Sequence, residues 1–366
     1  MRLKIYQMER AQALDFLMDA PTVHIATSLP DGTPVVRTVH GVVVDNYLAF
    51  HGSPVGEKVK TIGRSAVASA EEVIAPIPSY FIDPERACPA TTYYLSAQVH
   101  AVIEHTDDSE FKTRVLAALM AKLQPQGGYV QMDSNHRLYR SAIQQIMILR
   151  MSLDRLDGKA KLGQNRTPEQ LFRVIHLLWQ RGLFDDPRAI DLVRRANPEV
   201  PCPEFLKFPN GLTACCAFGK DEVAEVVNLL KDEYWNVAVP AEIIAQSHLN
   251  ASAWVGAKDA EGRIVCSARA VSDRARNAWI HDVIVNPAYR GKGIGQALMR
   301  LILDHPAVRH AANVGLGTRD AESFYTRFGF SDVRDVPANF PVTRMMLKRN
   351  PSPNRSGLGE GFLETP

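Results

Sequence analysis

The sequence WIHDVIVNPAYRGKGIGQALMRLIL, Trp279 to Leu303, predicts a strand that ends in a glycine-rich turn and continues as a helix. β-Branched residues fill the first part in a buried-strand pattern, and Asn286-Pro287 ends the strand. From Ile294 onward, apolar residues recur at helical spacing. The turn RGKGIG, Arg290 to Gly295, leaves backbone N–H groups unshielded at the positive end of the helix. We therefore predict that this turn binds a pyrophosphate.

Other phosphate-binding loops share this outline. A nucleoside-triphosphatase loop needs Ser or Thr directly after Gly-Lys to hold magnesium, and here Gly293 follows Lys292. A dinucleotide-binding fingerprint needs a different glycine spacing and an acidic residue about 20 positions later, which this turn matches poorly. An ordinary glycine-rich turn between a strand and a helix stays open as the alternative.

The pattern Arg-x-x-Gly-x-Gly, after a strand that ends in Val-x-Pro, resembles the acetyl-CoA pyrophosphate loop of the GNAT family of N-acetyltransferases. The segment FYTRFGF, Phe324 to Phe330, resembles the next motif of that family. The resemblance implies a mixed α/β fold with acetyl-CoA as cosubstrate. It also implies that the main chain of Val283, Ile284 and Val285 contacts acetyl-CoA. The implied loop contacts are Arg290, Gly291, Lys292, Gly293, Ile294 and Gly295.

Acetyl transfer to an amine needs a base for the amine proton and an acid for the leaving thiolate. By the same resemblance Tyr325 lies beside the CoA sulfur and is the candidate acid. His281 on the strand is the candidate base, because histidine titrates near neutrality. A packed aromatic ring and a structural strand histidine are the alternatives. Many family members have asparagine seven residues before the tyrosine, where this chain has the shorter Thr318, so that CoA contact stays open.

The N-terminal half is rich in short strand patterns. Strands are predicted at Thr22 to Thr27, Val35 to Val44 and Tyr47 to His51, with turns between them. Such short strands must close or pack to bury their single apolar faces. A small barrel is therefore predicted.

The segment Val23 to Gly63 resembles the FMN-binding split barrel of pyridoxamine 5′-phosphate oxidase-like proteins. The segment KAKLGQNR, Lys159 to Arg166, is similar to a lysine and Gln-Asn-Arg signature in FMN-binding transcriptional regulators of the same superfamily. The resemblance implies FMN as cofactor, with a lysine near its phosphate, and a homodimer, because a split barrel builds its flavin site across a dimer interface. Solvated surface charges and satisfied strand histidines are the alternative. The implied FMN contacts are Arg37, Thr38, His40, His51 and Lys58.

Composition indicates an ordinary globular protein, with 46% hydrophobic and 22% charged residues among 366. The net charge is +2 with both signs interspersed, so no nucleic-acid partner is expected. No apolar run reaches the roughly 18 residues of a membrane span and no signal-peptide core is evident, so we expect a cytoplasmic protein without membrane association. The five cysteines show no Cys-x-x-Cys spacing, and neither a metal site nor a disulfide is expected.

The Pro-rich segment NPEVPCPEFLKFPNG, Asn197 to Gly211, marks the predicted domain boundary. The predicted domains are an FMN-binding split barrel at 1–182, a helical segment with linker at 183–211, a GNAT domain at 212–349 and a flexible tail at 350–366. The predicted fold class is a split β-barrel with flanking helices joined to a mixed α/β domain. We expect a bifunctional enzyme that acetylates a small-molecule amine and carries flavin oxidoreductase chemistry. The alternative is a sensor or regulator that binds flavin and acetyl-CoA with little turnover.

Overall fold

The computed structural model describes residues 4–332. In the N-terminal half, two antiparallel sheets of order β2-β1-β5-β6-β9 and β3-β4-β8-β7 pack face to face, with helices outside them. The strands are β1 (Val23–Ser28), β2 (Pro34–Val39), β3 (Val42–Val44), β4 (Tyr47–Gly52), β5 (Ser65–Ile77), β6 (Thr91–Val102), β7 (Glu104–Thr106), β8 (Met147–Ser152) and β9 (Leu156–Lys161). The helices are α1 (Arg10–Asp19), α2 (Ser109–Leu123) and α3 (Arg140–Gln145), and a 3-10 helix spans Glu57–Thr61.

Strand alternation explains how the two layers form. Along β4, Leu48 and Phe50 are buried between the sheets, whereas Ala49 faces outward against α2 and its Phe111. No hydrogen-bonded strand pair of the described chain joins the two sheets into a closed barrel. The predicted split-barrel fold is therefore confirmed as two packed sheets.

The chain passes from one sheet to the other at Gly41. A Cβ atom there would lie 2.9 Å from both Leu48 Cδ1 and Val23 Cγ2, so only glycine allows the close packing at this corner. The prediction of one continuous strand from Val35 to Val44 was wrong, because this corner divides it into β2 and β3. Strand β9 was not predicted.

Two helices, α4 (Pro168–Arg181) and α5 (Asp186–Ala196), follow the N-terminal sheets. Thr167 begins α4 by accepting a hydrogen bond from Gln170 N at 3.3 Å. Gly182 ends α4 in the left-handed conformation, with φ 66°. Both end signals of α4 therefore lie in the local sequence.

The described strands of the C-terminal half form one sheet of order β10-β11-β12-β13-β14, and among them only the β13–β14 pair is parallel. Alternate residues of the central strands face opposite sides: Trp254 contacts one helical layer and Val255 the other. The sheet is therefore covered on both faces. Its strands are β10 (Thr213–Cys215), β11 (Ala253–Lys258), β12 (Ile264–Ser272), β13 (Asn277–Val285) and β14 (Asn313–Leu316). Its helices are α6 (Val223–Leu230), α7 (Ala241–Leu249), which was not predicted, α8 (Ile294–Asp304) and α9 (Glu322–Tyr325).

Helices α4 and α5 connect the two halves physically. Trp179 Nε1 donates a hydrogen bond to Asp304 Oδ2 at 2.6 Å. The buried carboxylate of Asp191 accepts hydrogen bonds from the backbone N–H groups of Cys216 and Ala217 at 2.7 and 2.9 Å. The apolar faces of both helices belong to a hydrophobic core that includes side chains from the C-terminal sheet. The two halves therefore share one core.

The domain bounds 1–182, 183–211 and 212–349 stay a prediction. Residues 333–349 of the predicted GNAT domain and the predicted tail at 350–366 lie outside the described residues. Among residues 4–332, no helix has both the length and the apolar character needed to cross a membrane.

Candidate functional site

Strand β13 contains a bulge at Asp282. Ser267 pairs with Ile284 and Arg269 pairs with His281, so β13 uses one more residue than β12 between these two pairs. Asp282 has φ 53°, in the left-handed region that few residues other than glycine adopt. The bulge changes the direction of β13 just before the glycine-rich turn.

A cleft of about 850 Å³ opens beyond the bulge. The described chain pairs β13 with β14 only as far as Ile280 and Leu316, and the following residues of β13 have no strand neighbour on that edge. Backbone N–H and C=O groups of this edge can therefore bind a ligand that carries amides of its own. The predicted residues that line the cleft are His281, Val283, Ile284, Val285, Arg290, Gly291, Gly293, Ile294, Gly295, Thr318 and Tyr325.

The glycine-rich turn forms one end of the cleft. Gly291 and Gly293 have φ 76° and 79°, which glycine adopts without strain. Helix α8 starts at Ile294, so the first N–H groups of the helix have no partner within it and face this end. A Cβ on Gly295 would lie only 3.3 Å from Phe324 Cζ. Because Gly295 has no side chain, α8 can pack close to α9. The turn has the geometry of an anion site.

The two cations of the turn behave differently. Arg290 Nε donates to Val285 O at 3.1 Å, and its Nη2 lies 3.4 Å from Glu233, so its side chain braces the turn against β13. Lys292 Nζ donates to Ala288 O at 3.2 Å and does not line the cleft. Lys292 is thus the one predicted loop contact that the structure does not bring to the cleft.

Tyr325 is half-buried on the wall of the cleft. Its ring packs against Phe324 and Phe330, with centroids 5.1 and 6.1 Å away. Burial raises the pKa of its hydroxyl above the ordinary value, so the group stays protonated at neutral pH. This hydroxyl makes no hydrogen bond within residues 4–332 and is free to donate a proton to a ligand.

His281 is half-buried on β13 in the same cleft. Burial lowers the pKa of its imidazole, and the nearby Arg269 lowers it further, against an opposing effect of Asp282. The ring is therefore mainly neutral at pH 7 and can accept a proton.

A charged cluster at the wall of the cleft was not predicted. The Asp282 carboxylate accepts hydrogen bonds from Arg269 Nε at 2.6 Å and from Trp235 Nε1 at 3.1 Å. His248 Nε2 lies 3.8 Å from the same carboxylate and has no hydrogen-bond partner. The cluster holds the bulge and ties Trp235 to the wall of the cleft. Its members come from four separate segments, so no local pattern could have revealed it.

Thr318 and the residues after it form the far wall. Thr318 Oγ1 accepts a hydrogen bond from Ala321 N at 3.1 Å and so caps the turn that leads into α9. Arg319 stacks on Tyr234 at 3.7 Å and lies 3.3 Å from Asp320. Thr318 therefore has a local structural role in addition to its place in the cleft.

In the N-terminal half, Arg37 and Lys58 meet at a small cavity of about 20 Å³. The cavity is also lined by the hydroxyl-bearing residues Thr27 and Thr61, and by Glu57, which pairs with Arg37. The two cations suit a phosphate. Both threonine hydroxyls already donate to backbone oxygens, Thr27 to Ser65 O at 2.8 Å and Thr61 to Lys58 O at 2.6 Å. The space itself is close to that of one water molecule. At this cavity the described residues thus offer a phosphate end, and the enclosed space is too small for a flavin ring.

The other three predicted flavin contacts lie apart from this cavity. Thr38 faces the opposite side of the sheet from Arg37, and its hydroxyl is 3.1 Å from His24 Nδ1. His40 and His51 are exposed and do not line the cavity, although the backbone oxygen of His51 accepts a hydrogen bond from Lys58 at 3.4 Å. Arg37 and Lys58 are therefore neighbours at the cavity, whereas Thr38, His40 and His51 do not line it.

Comparison with known families divides the chain into the same two parts. Residues 9–160 match the family described as pyridoxamine 5′-phosphate oxidase. Residues 221–330 match the acetyltransferase (GNAT) family. The second match contains the whole cleft, including its bulge, glycine-rich turn and Tyr325.

Individual proteins resemble one part each. A GCN5-related N-acetyltransferase 2, chloroplastic, from Arabidopsis thaliana is 30% identical over 164 residues, which is 44% of this chain and 62% of that protein. The chain thus spans about three fifths of this curated relative. The flavocytochrome Anf3 from Azotobacter vinelandii is 16% identical with a TM-score of 0.35, over 41% of this chain and 66% of its own. A GNAT family acetyltransferase from Streptococcus pneumoniae is 24% identical with a TM-score of 0.28, over 37% of this chain and 98% of its own.

Proposed function

This chain joins an N-terminal pyridoxamine 5′-phosphate oxidase-like domain to a C-terminal GNAT acetyltransferase domain, and we propose that it transfers the acetyl group of acetyl-CoA to a small amine. The two families imply acetyl-CoA and a flavin as its ligands. The observation that carries the proposal is the cleft between β13 and β14. There an unpaired strand edge, a helix N-terminus and a free tyrosine hydroxyl face one volume.

Each part of the cleft supports one requirement of the reaction. The edge of Val283 to Val285 that has no strand neighbour within the described chain is placed to hydrogen-bond the amides of CoA. The turn at Gly291 to Gly295 receives its pyrophosphate. His281 takes a proton from the amine, whose nitrogen bonds to the thioester carbon. The carbon–sulfur bond breaks as Tyr325 gives its proton to the departing sulfur. The proton taken by His281 returns to solvent, and Tyr325 regains one from solvent.

The test is acetyl transfer by the full-length protein. Purified protein is mixed with acetyl-CoA and a panel of polyamines, amino acids and aminoglycosides, and free thiol is measured together with the mass of the product. We expect one amine class to release CoA well above the rate of hydrolysis, with a product in which one acetyl group has replaced one hydrogen of the amine. Tight binding of acetyl-CoA without acetylation of any amine would favour the alternative of a ligand-binding regulator.

We also propose that Arg37 and Lys58 bind the flavin phosphate, with a second copy of the chain completing the slot for the ring. The support is the pair of cations at a cavity whose enclosed space is too small for a ring. When bound, the flavin would supply redox chemistry. Such a reaction, and the homodimer itself, stay predictions.

Replacing Lys58 with alanine is expected to weaken FMN binding about 10- to 150-fold, because a charge-assisted hydrogen bond is worth about 1.5–3 kcal/mol. Fluorescence titration of flavin measures this effect. Riboflavin lacks the phosphate and should bind the wild type and Lys58→Ala nearly equally. Lys60→Ala is the matched control, since Lys60 is an exposed lysine of the same 3-10 helix that does not line the cavity. An equal loss of riboflavin and FMN affinity would show that the phosphate site is misplaced.

A further inference from the structure

A second cleft, of about 680 Å³, lies beside the glycine-rich turn. One wall is the segment Glu204 to Pro209 of the linker between the two domains, and the other is helix α8. The second cleft shares Gly293 and Gln296 with the first one. A Cβ on Gly293 would lie 3.9 Å from Pro209 Cγ, so the linker directly flanks the turn. The two clefts are continuous at the start of α8.

Arg300 is the available cation of this second cleft. It is exposed on α8 and makes no hydrogen bond or ion pair within the described chain. Asp304 already accepts the hydrogen bond of Trp179 Nε1 at 2.6 Å. Lys207 lies 2.6 Å from Glu204, and both side chains are exposed. Within the described chain Arg300 thus has no direct ion pair, whereas Lys207 is paired with Glu204. The Asp304 carboxylate lines the same cleft and keeps its negative charge, because its Trp179 partner is neutral.

Two aromatic rings complete the linker wall. Phe205 is stacked on Trp179 with a centroid distance of 4.7 Å and an interplanar angle of 18°, which fixes its position. Phe208 lines the cleft next to Lys207. Aromatic rings beside cationic side chains suit a ligand in which a flat base lies close to a phosphate.

We propose that this second cleft binds the 3′-phosphoadenosine end of CoA, with Arg300 and Lys207 on its 3′-phosphate. The inference rests on the proposed function, since it starts from a pyrophosphate bound at Gly293. Gly293, Gln296, Ala297 and Arg300 lie on one face of α8, and seven residues of helix span about 10 Å. With the pyrophosphate at Gly293, the nucleoside of CoA lies along this face of α8 and its 3′-phosphate reaches Arg300. The linker between the domains is thereby part of the acetyl-CoA site.

The test compares CoA with 3′-dephospho-CoA by calorimetry on the full-length protein. We expect wild type to bind CoA about 10- to 150-fold more tightly, the factor that a charge-assisted contact of about 1.5–3 kcal/mol gives. Arg300→Ala should bring CoA affinity close to that of dephospho-CoA and leave dephospho-CoA affinity unchanged. Lys207→Ala should act in the same selective way by a smaller factor, because Glu204 already pairs with Lys207. Arg276→Ala, an exposed arginine of the same domain outside both clefts, is the control.

Three results would overturn the inference in distinguishable ways. Equal affinity of wild type for the two ligands would show that the 3′-phosphate has no site in the protein. Equal weakening of both ligands by Arg300→Ala would show that Arg300 acts on the fold of α8. Failure of wild type to bind either ligand would contradict the pyrophosphate site itself, and with it the proposed function.

Discussion

Replacing Tyr325 with phenylalanine is expected to lower acetyl transfer about 100-fold or more, the usual effect of losing a general acid. The change removes the hydroxyl but keeps the ring that packs against Phe324 and Phe330. The hydroxyl makes no hydrogen bond within the described residues, so its removal leaves no partner unsatisfied. Stability and CoA affinity should therefore persist while kcat falls. Thiol release at saturating amine and acetyl-CoA measures the effect.

Tyr234→Phe is the matched control for this experiment. Tyr234 lines the same cleft, and its ring supports Arg319 at 3.7 Å, a contact that phenylalanine keeps. We expect this variant to turn over at nearly the wild-type rate. If Tyr325→Phe loses CoA affinity as much as turnover, Tyr325 is a packing residue and the acid is another group.

Replacing Gly293 with valine is expected to abolish acetyl-CoA binding. Gly293 has φ 79°, a conformation that a β-branched residue adopts only with strain. It also stands directly before α8, where an added side chain would cover the N–H groups that receive the pyrophosphate. Calorimetry with acetyl-CoA measures the loss, and bound flavin should keep its absorption spectrum because its proposed site lies in the other domain.

Gly262→Val is the control that distinguishes loss of the pyrophosphate site from the effect of backbone strain alone. Gly262 has φ 81° and lies in the turn between β11 and β12, where a Cβ would meet no atom within 4 Å. The same strain is thus introduced in the same domain away from the cleft. We expect Gly262→Val to lower the melting temperature but to bind acetyl-CoA as wild type does. Unchanged affinity in Gly293→Val would contradict the assignment of the pyrophosphate site.

The shared core changes what can be expected of the two domains in isolation. Helices α4 and α5 bury apolar side chains against the C-terminal sheet, and Asp191 binds the backbone of Cys216 and Ala217. A fragment that ends in the linker would expose this face to water. For this reason the experiments above use the full chain.

Features with local physical causes could be predicted from the amino-acid sequence. The strand β13, the turn at Arg290 to Gly295 and the start of α8 are contiguous, so spacing and glycine content were enough to predict an anion site there. The start of helix α2 is also set locally, because Asp108 accepts hydrogen bonds from the N–H groups of Glu110 and Phe111 within one turn. Recognition of both families rested on such short segments.

Contacts between residues that are distant in the sequence depend on how the whole chain packs. Asp282, Arg269, Trp235 and His248 converge from four segments, since strand pairing and the bulge bring them together. Arg37 and Thr38 are separated because neighbouring residues of a strand lie on opposite faces of the sheet. The linker's approach to α8 depends on the packing of α4 and α5 between the two sheets. Contacts between distant segments are set by packing of the whole core, which no short stretch of sequence encodes.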